Sequence, residues 1–163
     1  MNNLMVIFLI GIGATAAMDL WCILRKSLLG INPPNYGMVG RWIAYMTHGK
    51  FHHDSISASA PMQGEHFIGW IAHYLIGIAF AAVLVGTAGK PWIHNPTIGP
   101  ALAVGVGTVA APFLLMQPGM GAGIASSRTP KPNSARLHSF INHAVFGLGL
   151  YASGWALKLY CSI

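Results

Sequence analysis

Charge is what this sequence lacks. Only 7% of its 163 residues are Asp, Glu, Lys or Arg, where a soluble domain carries about 25%. So few charges cannot clothe a water-facing surface, and hydrophobic residues make up 54% of the chain. Acid is scarcest. Asp19, Asp54 and Glu65 are the three carboxylates, set against nine Lys and Arg, for a net charge of +6. No basic stripe interleaved with aromatics points to nucleic acid. With two cysteines, Cys22 and Cys161, a disulfide scaffold is excluded. Nucleotide and hydrolase signatures are also missing. The glycine-rich stretch Gln117–Gly123 has no Lys-Ser/Thr and follows an apolar run instead of a strand, and no Gly-x-Ser-x-Gly elbow occurs. The sequence therefore favours a protein that is not an enzyme.

Long apolar runs are what the chain has. Four are long enough to cross a hydrocarbon core of roughly 30 Å, at residues 4–24, 66–88, 98–116 and 138–159. The first has no basic residue ahead of it, and its apolar run continues past the small residues Gly13–Ala17. It reads as a retained span and not as a cleaved signal. The connections at 25–65 and 117–137 are polar. Tyr36–Thr47 mixes aromatic, apolar and basic residues, a pattern that suits a short helix lying in the membrane interface. The expected fold is an all-α membrane protein: a single domain, 1–163, built as an antiparallel bundle of four transmembrane helices, with that interfacial helix in the first connection.

Seven of the nine basic residues fall in the two polar connections: Arg25, Lys26, Arg41, Lys50, Arg128, Lys131 and Arg136. Basic connections face the cytoplasm. Both termini then face the periplasm, as an even number of spans requires. On this topology Cys161 lies outside and Cys22 inside, too far apart to bridge.

Topology also gathers the polar residues. Of the eight histidines, His94 alone lies on the outer side, and all three acids lie on the inner side. Asp19, His73 and His143 sit at similar depth within their spans. Ionisable groups inside an apolar segment are costly and mark a functional site by default. The expected polar pocket is lined by Asp19, Arg41, His52, Asp54, Glu65, His73, Gln117, Arg128 and His143. Its ligand would be a small molecule, a lipid head group or a metal ion. Asp19, His73 and His143 are the metal candidates, since imidazole and carboxylate from different helices suit a metal ion, and histidine suits haem. No Glu-x-x-His or His-x-x-x-His spacing supports that option. A proton-linked transporter or channel acting as an oligomer, and a membrane metalloenzyme, remain open alternatives. The partners expected are the lipid bilayer, a further copy of the chain or a membrane-complex partner, and no nucleic acid.

The chain resembles a family of short bacterial inner-membrane proteins known only as a domain of unknown function. The resemblance rests on Ala17-Met18-Asp19-Leu20-Trp21, Gly40-Arg41-Trp42, Gly49-Lys50-Phe51-His52-His53-Asp54 and Gly69-Trp70-Ile71-Ala72-His73-Tyr74. Gln117–Gly123 and Phe146–Tyr151 extend it over nearly the whole chain. It implies a four-span protein of a bacterial inner membrane and carries no reaction, cofactor or site residue.

Overall fold

The computed structural model describes residues 2–161, with Cys161 described for its backbone alone. The long helices begin and end where local chemistry dictates. Helix α1 (Asn3–Leu29) starts at Asn2, whose side chain accepts from the Leu4 N–H. It ends at Gly30, in the left-handed conformation with φ 66°, whose N–H closes the last turn on the Lys26 carbonyl. The helix runs five residues beyond the expected end at Leu24. Arg25 and Lys26 are good helix formers, and the first real stop signal is Gly30.

Next come α2 (Tyr36–Met46), α3 (Glu65–Ala88) and a short α4 (Lys90–His94). Helix α5 (Ile98–Gly107) leads through a widened π-type turn, Pro112–Met116, into α6 (Gln117–Gly119). The turn falls where Pro112 cannot donate to the helical ladder. Finally, α7 (Pro132–Cys161) begins on a proline, which costs nothing where the N–H has no partner anyway. Single 3₁₀ turns occur at Ile56–Ala58 and Ile124–Ser126. The fold is all-α, and no strand occurs among the described residues.

Three helical stretches are long and apolar enough to cross a membrane: Asn3–Leu29, Glu65–Ala88 and Ile98–Gly119. Helix α7 has the length, at 30 residues, but Asn142, His143 and Lys158 dilute its hydropathy. By length and composition these helices suggest a multi-pass membrane protein.

Two compact units divide the described chain. The first takes in residues up to Pro33, Tyr74–Thr108 and Phe140 onward. Val6, Ile10 and Ala14, each one turn apart on α1, enter a core with Ala81, Leu84, Trp92, Ala101, Phe146 and Leu150. Small residues set its helix spacing. A Cβ on Gly105 would overlap the Gly147 backbone. In an apolar solvent such close packing, and not the expulsion of water, drives helices together.

The second unit holds Pro34–His73 and Val109–Ser139. Here α2 crosses the start of α3 with almost no side-chain material between them. A Cβ on Gly40 would overlap the Glu65 carbonyl and the Gly69 N, and one on Gly69 would overlap the Tyr36 carbonyl. The loop after α2 is tied down by its backbone. The His53 N–H donates to the Gly119 carbonyl (2.9 Å) and the Ile56 N–H to the Met120 carbonyl (3.0 Å).

Candidate functional site

Close approach of α2 and α3 puts Arg41 opposite Glu65. Arg41 Nε donates to Glu65 Oε2 (2.7 Å) and Nη2 to Oε1 (2.8 Å), a two-pronged grip on the carboxylate. Nη1 turns the other way, to the carbonyls of Ser59 (2.9 Å) and Ile56 (3.3 Å). Glu65 Oε2 also accepts the Met62 N–H at 2.9 Å. The two side chains are 12% and 11% exposed. The guanidinium, already the strongest base among side chains, is held still more firmly protonated by its hydrogen bond to Glu65. Arg41 and Glu65 were both expected in the pocket. Their charges are spent on each other and on one loop.

That loop carries the His52-His53-Asp54 run, and its three residues part company. His53 is 2% exposed. Its Nδ1 lies 2.8 Å from Ser59 Oγ, its ring meets Tyr45 edge-on, and its Nε2 is buried without a protein partner. Burial pushes its pKa below the usual histidine range, with Lys50 and His52 acting in the same direction. His52 and Asp54 are exposed. His52 instead lines a cavity of about 260 Å³ with Pro118, Gly123, Ile124, Ser127 and Arg128. The backbone beside this cavity is strained. Ala125 and Ser126 have φ of 47° and 60°, a left-handed conformation that non-glycine residues seldom adopt and that tends to occur at functional positions. Arg128 makes no side-chain hydrogen bond among the described residues, although Gln117, at the start of the same turn, has its Oε1 buried without a partner.

Asp19 and His143 belong to the first unit and His73 to the second. In the first unit, Tyr74 donates its hydroxyl to Asp19 Oδ2 at 3.1 Å. In the same unit His143 Nδ1 lies 2.9 Å from Thr108 Oγ1. The Thr108 hydroxyl already donates to the Gly105 carbonyl (2.6 Å). Its single proton is therefore committed, so the Thr108 oxygen accepts from His143 Nδ1–H. In the second unit the His73 ring stacks on Tyr36, with centroids 4.1 Å apart and an interplanar angle of 24°. Among the described residues no three His, Cys, Asp or Glu side chains are grouped to hold a metal ion.

Sequence reasoning missed a different pair. Arg25 entered it only as a topology charge, yet it is 4% exposed. Its Nη1 donates to Asn142 Oδ1 at 3.1 Å, linking α1 to α7. The available signal was its place inside an uninterrupted helix, eight residues after the small-residue pair Ala16-Ala17.

Residues 8–157 match the model of a family described as a protein of unknown function (DUF2938). No curated protein and no solved structure matches the chain.

Proposed function

Because the chain belongs to the DUF2938 family, of unknown function, we propose a role from its residues alone: a four-span inner-membrane protein that binds a small anionic ligand or lipid head group. The spans would be α1, α3, the Ile98–Gly119 stretch and α7. At 1.5 Å per residue, the 30 residues of α7 reach about 45 Å, ample for a crossing. Polar groups such as Asn142 and His143 are tolerated within a span when they pair with other helices. The basic residues of connections 25–65 and 117–137 favour a cytoplasmic location for both, with the termini in the periplasm and the aromatic-rich α2 in the interface.

The cavity beside Arg128 carries the ligand reading. Arg128 offers a guanidinium with no hydrogen-bond partner among the described residues, Ser127 a hydroxyl and His52 an imidazole, next to apolar Ile124 and Pro118. This donor-rich set with an apolar margin suits an oxyanion attached to hydrocarbon. The Arg41–Glu65 pair serves that site by fixing the loop that bears His52, and Asp54 and Gln117 border it in sequence. The test is the lipid retained by purified protein, read by mass spectrometry after exchange into nanodiscs of phosphatidylcholine with one quarter phosphatidylglycerol. Retention of the anionic lipid should fall severalfold in Arg128→Ala and in His52→Ala. Equal retention in wild type and both variants overturns the reading.

A second reading, proton-linked transport by an oligomer, draws on the hydroxyl partners of Asp19 and His143, which resemble parts of a proton relay. A pH-driven flux in liposomes that Asp19→Asn abolishes would favour it.

A further inference from the structure

We infer that Arg25, Trp21 and Asn142 form a buried oxyanion site at the end of α1, independent of the Arg128 cavity, that takes the phosphate of an inner-leaflet lipid or free phosphate. The first observation is an uncompensated charge. Arg25 is 4% exposed, and no carboxylate among the described residues pairs with it. Of the three acids, Glu65 is gripped by Arg41, Asp54 is exposed and Asp19 accepts from Tyr74. Among the described residues, the only side-chain partner of Arg25 is the neutral amide of Asn142. Arginine stays charged in proteins. A buried charge without a counter-charge is among the costliest arrangements a fold can hold.

The second observation is the set of idle donors. Arg25 Nε is buried without a partner, and so is Trp21 Nε1. Trp21 and Arg25 are four residues apart and so share a face of α1. Asn142 turns its Oδ1 to Arg25 and lies 4.0 Å through that oxygen from Cys22 Sγ. Its one acceptor is therefore used, and what remains is its NH2 group. Trp21 Nε1 and Arg25 Nε are thus donors with no acceptor opposite them, and the Asn142 oxygen is already taken. Such a set calls for an acceptor with several lone pairs. Water would satisfy the N–H groups and leave the charge unanswered, whereas a phosphodiester oxyanion satisfies both.

Thermal unfolding of the purified protein, with sodium chloride matched for ionic strength, tests this. Inorganic phosphate in detergent and nanodiscs of phosphatidylcholine with or without phosphatidylglycerol are the probes. A probe that binds only the folded state should raise Tm by about 5 °C at a hundredfold excess over its Kd. Stabilisation by both probes indicates a site for free phosphate as well as lipid, and stabilisation by phosphatidylglycerol alone indicates the lipid. In Asn142→Asp the new carboxylate supplies the missing counter-charge internally. Combined with Arg128→Ala, which removes the other anion site, that variant should fold and lose the response to either probe, which keeps the test open if Arg25→Gln does not fold. In Arg128→Ala the response should persist. The inference is overturned if neither probe stabilises the wild type, if Asn142→Asp in the Arg128→Ala background responds as Arg128→Ala does, or if Arg128→Ala alone abolishes the response.

Discussion

The Arg41 guanidinium lies edge to edge with the Glu65 carboxylate, through contacts of 2.7 and 2.8 Å, while its third nitrogen reaches two loop carbonyls. One side chain thereby joins α2, the first turn of α3 and the loop before it. Arg41→Lys keeps the charge and loses the planar fork, so it cannot hold carboxylate and loop together. We expect Tm to fall by roughly 5 °C and proteolysis to become faster between Thr47 and Gly64. Glu65→Gln should do the same. A lysine variant as protease-resistant as the wild type would show that the loop is held by its backbone bonds alone.

Gly40 and Gly69 make the same crossing possible from the backbone side. Any Cβ at either position meets main-chain atoms, which cannot rotate away. Gly40→Ala should therefore cost more than the 1–3 kcal/mol or so typical of an overpacked core. By contrast, Gly86→Ala, where an added Cβ meets nothing, should leave Tm unchanged or raise it, since alanine is the better helix former. Comparable yields and melting temperatures for Gly40→Ala and Gly86→Ala in detergent would refute the crossing.

The helices were legible because apolar runs of this length have few other destinations. Their ends were less so. Leu24 looked like a terminus because Arg25 and Lys26 follow it, but charge does not stop a helix, and Gly30 does. The start of α7 hid behind Pro132, which reads as a breaker although the first helical position tolerates it. The candidate site was half legible. Arg41, Glu65, His52 and Arg128 were each picked out as polar residues near apolar runs. That Arg41 would spend itself on Glu65, 24 positions away, follows from the glycine crossing, which no local pattern encodes. Which histidine of the His52-His53 pair is buried is decided by the loop's backbone bonds to Gly119 and Met120, which the sequence does not show.

Burial of His53 has a consequence for acid stability. Its folded pKa lies below that of the unfolded chain, so the unfolded state takes up a proton that the folded state resists. Above the ordinary histidine pKa of about 6.5, neither state is protonated at this residue and its contribution to stability is constant. As pH falls through that value, stability is lost, and the loss levels off once the folded state is protonated too. Tm of the wild type should therefore drop between about pH 7.5 and 5.5, and His53→Asn, which retains a partner for Ser59 Oγ, should show a shallower drop. Identical slopes would assign the acid sensitivity to the other histidines.

Orientation is the remaining prediction, and it depends on charge and span count together. Connections 25–65 and 117–137 hold seven of the nine Lys and Arg, which predicts a cytoplasmic location for both, and four crossings would then return the C-terminus to the periplasm. If α7 does not cross, the C-terminus stays with the cytoplasmic connection that precedes it. A C-terminal fusion thus reads out the fourth span directly. Alkaline phosphatase, active only after export, should be active there, and a fluorescent protein that matures only in the cytoplasm should be dark. Placed within Thr129–Asn133, the same two reporters should give the opposite result. Cys161, whose side chain lies outside the described residues, supplies an independent check, since a membrane-impermeant maleimide should label it in intact spheroplasts. Cytoplasmic behaviour at the C-terminus, together with a Cys161 labelled only after lysis, would reduce the spans to three and remove α7 from the membrane.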